Sequence, residues 1–371
     1  MWDAITPYNG LPDLPPREEL ETRRVLKATI EARASLATLN KAAQLIPNPS
    51  VLINTLPLLE AQASSEIENI VTTADELFRF SDSDEFANPA VKETLRYRTA
   101  LNFGVDSVRG RPLNVSTAVD VCSLIQGRQM SVRQLPGTKV ANSATLEVIY
   151  TPPEGESLIR EKLGNWEEFI HSAPSLDPLV KMAVAHYQFE AIHPFDDGNG
   201  RTGRILNLLM LVEAGLLNEP ILYMSRSIIA TKAEYYRLLQ AVTATASWEN
   251  WSEYMLNMVR ITADETIVKI DAIRELQDEF HTRVKAEIPI ANNADFLAVL
   301  FEQPYCRIRN VIDRCSVSRP TAATWLKHLA ERGLLVEVKS GREKLFINSR
   351  FLELLTRQGP VVTAHREPVL F

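Results

Sequence analysis

Cysteine is scarce in this chain: three residues in 371, at positions 122, 306 and 315. Three so widely scattered exclude a disulfide framework and a cysteine zinc site, and they read as small core residues. No uninterrupted apolar run approaches the roughly 20 residues that cross a bilayer. The opening MWDAITPYNGLPDLPP lacks the basic-then-apolar pattern of a signal peptide. Positive charge is also short: 40 Lys and Arg stand against 47 Asp and Glu, for a net charge of -7. That balance argues against a general nucleic-acid or membrane-surface binder, although a local basic patch can hide within it. There is no internal repeat and no low-complexity segment. The expectation is a soluble, cytoplasmic protein without a membrane partner. Its length suits two domains or three small ones, and 45% hydrophobic residues can bury a substantial core.

What is there is mostly helical periodicity. The Pro-rich start, up to Pro16, cannot be helical and is expected to lie extended over the surface. Apolar spacing predicts a helix from Arg17 to Leu45, broken by Pro47 and Pro49. Further helices are predicted over 51–68, 89–104, 114–128, 158–171, 178–192, 202–214, 232–245 and from 248 to about 285. Residues 135–153, LPGTKVANSATLEVIYTPP, are rich in Gly, Pro and β-branched residues and predict a short hairpin or extended flap. Pro289 and the polar run 291–295 suggest a boundary. Beyond it RNVIDRC, SVS and RPTAATWLKHLAERGLL read as helix, turn and longer helix. VEVKSGREKLFIN then reads as a hairpin around Ser340-Gly341, which completes the winged-helix order. After Gly359 there is no clear signal.

The stretch HPFDDGNGRTGR, from His193 to Arg204, contains G-x-G-x-x-G spacing. A dinucleotide-binding turn needs a buried strand directly before its first glycine. Here DPLVKMAVAHYQFEAI precedes it with helical spacing, and a proline and two aspartates intervene. The phosphate-loop pattern G-x-x-x-x-G-K-[ST] is absent. The residues fit a different chemistry. Gly198 and Gly200 allow a tight turn whose N–H groups, leading into a helix, cradle phosphate. Asp197 offers a hard oxygen to Mg²⁺. Arg201 and Arg204 share one helical face and suit phosphate oxygens. His193 is placed to take a proton from an incoming hydroxyl. Together they make a nucleotidyl-transfer site.

At these residues the sequence resembles the Fic family, whose signature His-Pro-Phe-x-(Asp/Glu)-Gly-Asn-Gly-Arg-x-x-Arg is matched at every fixed position. The resemblance implies a mainly α fold: a Fic helical core with a small β-hairpin flap, followed here by a C-terminal winged-helix domain. It implies transfer of AMP from Mg²⁺-bound ATP to a hydroxyl side chain of a target protein. His193 would be the base and Asp197 the metal ligand. Gly198, Asn199 and Gly200 would form the anion hole, with Thr202 and Gly203 in the same nucleotide-binding stretch. Arg201 and Arg204 would contact the β- and γ-phosphates. The flap is similar to one that aligns targets by strand pairing, with Glu147, Val148, Ile149 and Tyr150 over the nucleotide. Tyr235 and Tyr236 match a pair flanking adenine, or else form a packing face. An asparagine of the family seven positions after the second tyrosine is Thr243 here. The resemblance spans roughly residues 1–285.

The segment Ser64-Ser-Glu-Ile-Glu68-Asn69 fits the family's inhibitory pattern (Ser/Thr)-x-x-x-Glu-(Gly/Asn). A glutamate reaching Arg204 would occupy the guanidinium that must clamp the γ-phosphate. The same glutamate in some members serves AMP removal, which stays open. Phe195 and His186 read as core residues and Asp196 as solvated; His171, His281, His328 and His365 receive no role. In the tail, residues 307–345 hold nine basic and four acidic side chains, a local net of +5. Ser318, Arg319, Thr321, Thr324 and Lys327, with a wing of Lys339, Arg342 and Lys344, suit DNA, or else docking or a homodimer. The expected organisation is a helical inhibitory region (1–105), a catalytic core (106–285), a winged helix (286–358) and a tail (359–371). The competing expectation is a transcriptional regulator that senses nucleotide and binds DNA through the winged helix.

Overall fold

A computed structural model of the chain describes residues 2–46, 48–81, 87–141, 147–172, 176–340 and 343–357. The expected break at Pro47, the middle of the flap, Gly341, Arg342 and the tail with His365 lie outside the described residues.

The first helix, α1 (Arg23–Gln44), begins later than its apolar spacing suggests. The Thr22 hydroxyl accepts from the Val25 amide and starts the helix there, so residues 17–22 are not helical. The Pro-rich start is irregular, as its prolines require, but it is not merely laid on the surface. Leu11 and Leu14 are buried, and Asn165 brackets Leu14 by accepting from its amide and donating to its carbonyl.

Four helices follow: α2 (Ser50–Ile67), α3 (Ala74–Phe80), α4 (Pro89–Gly110) and α5 (Val115–Gln126). Burial on nearly every side makes α2 a central element. Asn88 and Asn114 cap α4 and α5 with their side chains. Strands β1 (Val140–Ala141) and β2 (Val148–Tyr150) then pair antiparallel, Val140 opposite Tyr150.

The core closes with α6 (Glu156–Ser172), α7 (Pro178–Ile192), α8 (Asn199–Glu213), α9 (Met224–Ala230), α10 (Lys232–Thr245) and the long α11 (Trp248–Glu287). Asp177 caps α7, whose first residue is a proline that has no N–H to satisfy. The face Val25, Ala28, Ala32, Leu36 and Leu39 of α1 is buried and packs along α11; α7 packs on α8, α6 and α11.

After a single 3₁₀ turn, α12 (Ala294–Glu302), β3 (Tyr305–Arg307), α13 (Ile308–Cys315), α14 (Arg319–Glu331), β4 (Val336–Ser340), β5 (Glu343–Ile347) and α15 (Ser349–Thr356) form a C-terminal unit. Its antiparallel sheet runs β3-β5-β4, with Tyr305 and Val336 on either side of Ile347.

Candidate nucleotidyl-transfer site

The site is a turn between two buried helices. Helix α7 ends at His193, whose backbone is left-handed (φ 49°, ψ 60°), so the chain leaves the helix axis at that residue. Buried Arg133 fixes this exit. Its Nε donates to the His193 carbonyl at 2.8 Å and its Nη2 to those of Pro153 and Ile192, while its amide donates to Pro194. The next four residues are drawn into a loop by Asn199, whose side chain accepts from the Phe195 amide and donates to its carbonyl, both at 2.8 Å. Phe195 itself is buried against Phe189. Gly198, at φ +84°, opens α8 without a side-chain cap, leaving first-turn N–H groups free for an anion.

The inner face of α8 corrects part of the sequence reading. Thr202 is fully buried, and a Cβ on Gly203 would collide with Glu190 Oε1 on α7. These two residues let α8 close against its neighbours and do not line a nucleotide turn. The Asn199 side chain is likewise spent on the loop. Arg201 is buried and faces Glu93 at 2.5 Å, with Asp197 at 3.9 Å, because a buried guanidinium must find a carboxylate.

Arg204, equally buried, is gripped by α2. Its Nε donates to the Ser64 hydroxyl (2.8 Å), and its Nη2 donates to the Ser64 carbonyl (2.9 Å) and Glu68 Oε1 (2.8 Å). Glu68 ends α2 and Asn69 takes the left-handed conformation (φ 64°) that turns the chain away, a position suited to Gly or Asn. Lys232 steadies this end by donating to the Ile67 carbonyl at 2.7 Å. Burial alone would raise the Glu68 carboxyl, but Arg204, with Arg201 and His193 beyond it, holds it below its ordinary range. Gly200 lies directly beneath: a Cβ there would come within 2.5 Å of Glu68 Oε1 and 2.9 Å of Arg204 Nη1.

Burial, and then the charge of Arg133, depress the His193 imidazole to about 4; a hydrogen bond to the Glu190 carbonyl works the other way. The ring is therefore neutral at physiological pH and oriented by one of its nitrogens. His186 is the core residue expected of it. It bonds the Tyr235 hydroxyl at 2.7 Å, stacks on Trp251, and is lowered to about 3 by burial.

Tyr235 is a second correction. It is 2% exposed, enclosed by Trp251, Tyr254 and Tyr236, so only Tyr236 of the pair presents surface to a base. Thr243 bonds the Tyr187 hydroxyl at 2.9 Å. On the flap, Tyr150 donates to the Ala191 carbonyl (2.8 Å), which ties β2 to the end of α7; Glu147 is exposed, and Val148 and Ile149 are half-buried.

Sequence reasoning missed Arg133, Glu93, Lys232, Glu60 and Glu190, since each matters only through a partner distant in the chain. Glu60, fully buried on α2, accepts from the Ser225 amide and hydroxyl and from Tyr97. Glu190 Oε1 is buried with no hydrogen-bond partner, and burial, opposed by Arg204 and assisted by Glu68, raises this carboxyl to about 7.

These groups set opposing pH dependences. His186 and His193, lowered from 6.5, bind fewer protons folded than unfolded, so they make stability rise with pH up to about 6.5. Glu190, raised from 4.5, keeps folded a proton that the unfolded chain has released, so it makes stability fall between about 4.5 and 7. Glu190→Gln removes the second effect alone. Urea unfolding at a series of pH values should give a steeper rise from pH 4.5 to 6.5 than wild type. Parallel curves would contradict the buried, protonated carboxyl.

Among the described residues no group of three or more His, Cys, Asp or Glu is gathered around a metal position. Asp197 stands at the turn with its side chain 65% exposed. One such oxygen suits Mg²⁺, which takes one or two carboxylates and completes its shell with water and substrate phosphates.

Residues 26–106 match the Fic/DOC family N-terminal domain, 117–211 the Fic/DOC family domain, and 276–351 the protein adenylyltransferase SoFic-like C-terminal domain. The protein adenylyltransferase fic-1 of Caenorhabditis briggsae is 35% identical over 92 residues, 24% of this chain and 17% of that protein. The probable protein adenylyltransferase aq_aa38 of Aquifex aeolicus is 31% identical over 166 residues, 43% of this chain and 49% of that protein. The chain thus spans half or less of the curated relatives it matches. In structure it is similar to a Fic family protein from Desulfovibrio desulfuricans G20 (TM-score 0.54, 19% identity, 90% of this chain and 98% of that one). It is also similar to Fic-1 (residues 134–508) from Caenorhabditis elegans (TM-score 0.51, 17% identity, 68% and 74%).

Proposed function

Since the chain carries Fic/DOC N-terminal and Fic domains and a SoFic-like C-terminal domain, it is a Fic/DOC family protein, and we propose that it is an autoinhibited protein adenylyltransferase. It moves AMP from ATP to a Ser, Thr or Tyr hydroxyl of a target protein. The observation that carries this reading is the grip of Ser64 and Glu68 on Arg204, the second arginine of the signature.

In the transfer, His193 takes the hydroxyl proton on the ring nitrogen not used by Glu190. The hydroxyl oxygen bonds the α-phosphorus, and the bond to the bridging oxygen breaks to release pyrophosphate. The N–H groups at Asn199 and Gly200 hold the phosphate charge, while that of Gly198 donates to Asp197 Oδ1 at 2.6 Å; Arg204 clamps the γ-phosphate once Glu68 has left. Arg201 keeps to Glu93 and Asp197 and so shapes the turn. Mg²⁺, held by Asp197 and the phosphates, would supply charge neutralisation on the triphosphate. The flap strand offers an edge to an extended target segment, and Tyr236 a face to the adenine.

The DNA-binding alternative draws less support. Arg309, Arg314, Lys327 and Lys344 pair with Asp313, Glu302, Glu331 and Glu337, and Arg307 turns inward to the Arg79 carbonyl. Four of the nine basic side chains are thus engaged by carboxylates and a fifth by a backbone carbonyl, rather than standing open to phosphate.

Incubation with ATP labelled at the α-phosphate and a cell lysate should leave label on protein beyond that in lysate alone, and ATP labelled at the γ-phosphate should add none to the lysate's own. An excess of γ-label that depends on the added protein would reassign the reaction.

A further inference from the structure

We propose that the C-terminal unit holds the inhibitory glutamate in place, with Gln303, Tyr305 and Arg307 as its positioning residues. The inference rests on the autoinhibited reading above. It begins with the way α2 is joined to α3. The linker after Glu68 is folded back on α2 by Gln62, whose side chain donates to the Thr72 carbonyl at 2.8 Å. Thr73 then caps α3 through reciprocal bonds with Glu76. Helix α2, its linker and α3 are therefore joined, and a withdrawal of Glu68 that moves the end of α2 also displaces or strains α3.

The far side of α3 is fastened to the C-terminal unit. The Tyr305 phenol, fully buried, donates to the Asp75 carboxylate. Arg307 Nη2 donates to the Arg79 carbonyl at 2.8 Å. The Ser81 hydroxyl donates to Gln303 Oε1 at 2.6 Å, and α12 packs directly on α2.

The same unit is tied to the catalytic core along α11. Lys269 donates to the Leu355 carbonyl at 2.5 Å, and Arg350 meets Glu279 through two bonds of 2.5 and 2.7 Å. Helix α11 in turn fixes α7, whose Ala183 carbonyl accepts from Trp251 Nε1 at 2.8 Å. The unit thus bridges the helix that ends in His193 and the helix that carries Glu68. Its contacts with α3 favour the inhibited arrangement. Anything that loosens them favours release of Arg204 and productive seating of ATP.

The test uses the full chain. Tyr305→Phe, and separately Asp75→Asn with Arg307→Ala, are assayed for protein labelling with α-labelled ATP, alone and with Glu68→Gly. Each should raise labelling roughly three- to tenfold, the scale of one or two hydrogen bonds, and add nothing once Glu68 is absent. Hydrogen exchange in Tyr305→Phe should quicken over residues 62–81 while α7 and α8 keep their protection. Several outcomes would overturn the proposal. If Glu68→Gly raises labelling and the α3-contact variants do not, the coupling is wrong and autoinhibition stands. A further rise on the Glu68→Gly background places their effect elsewhere. Exchange quickened uniformly across the chain marks them as ordinary stabilising contacts. If Glu68→Gly itself raises nothing, the autoinhibited reading fails and this inference with it.

Discussion

Glu68→Gly should raise AMP transfer, to the protein itself and to lysate proteins, by about ten- to a hundredfold. The range follows from a hydrogen bond to a charged group, roughly 1.5–3 kcal/mol. In the resting protein the Glu68 carboxylate stands 2.8 Å from Arg204 Nη2 and fills the space above Gly200. Its removal frees both the cation and the room that the γ-phosphate requires. The fold should tolerate the change, because Glu68 lies at the helix cap rather than inside α2. Ser64 still holds Arg204 from behind, so the guanidinium stays oriented. Adding Arg204→Ala should cancel the gain. Labelling of the three variants at saturating Mg²⁺ decides the matter. An unchanged or lower rate in Glu68→Gly would make the ion pair structural and place any restraint elsewhere.

Loss of His193 should have the larger effect. In the Glu68→Gly background, where turnover is not held back, His193→Ala should lower labelling about 10²–10⁴-fold, the usual worth of a general base. ATP binding, measured by calorimetry, should persist, because the phosphate-holding N–H groups and Arg204 are untouched. The backbone at 193 is left-handed, so alanine carries some strain there. His193→Asn, which tolerates that conformation, should be equally inactive and separates chemistry from folding. Labelling within tenfold of the parent in both variants would reject His193 as the base. Asp197→Ala should instead weaken the Mg²⁺ dependence of nucleotide binding, and a metal titration like the parent's would exclude it as the ligand.

Much of this was legible along the chain. Helices at 178–192 and 232–245 stand where their periodicity puts them, and the first carries its own start signal in Asp177-Pro178. Elsewhere local signals misled. Leu20 keeps helical spacing with α1 although Thr22 has already capped it. The glycines of the signature hid that α8 opens at Asn199, three residues before the expected start. Helices α3, α9 and α15 have seven or eight residues each, too few for a period to show. The grouping of Ser64, Glu68 and Arg204 could be anticipated because short patterns announce both ends. Arg133, Glu93, Lys232 and the α3 contacts could not, since nothing local distinguishes an arginine or lysine that folding carries to a distant carbonyl. Tyr235 and Tyr236 show the finer limit. Adjacent in sequence and alike in chemistry, they differ by the hundred degrees of helix rotation that buries one and bares the other.

The absent side chain at Gly200 has a consequence for how such an enzyme can change by mutation. A side chain there would meet Glu68 Oε1 and Arg204 Nη1 together and, on the proposed function, would also crowd the turn that takes the triphosphate. On the autoinhibited reading, a side chain at position 200 that evicts the glutamate would therefore spoil the seat it guards. On the same reading, constitutively active descendants would arise instead from changes in α2 or in the parts that hold it. Selection for higher output would leave its record at Glu68 and around α3, with the glycine-rich turn unaltered.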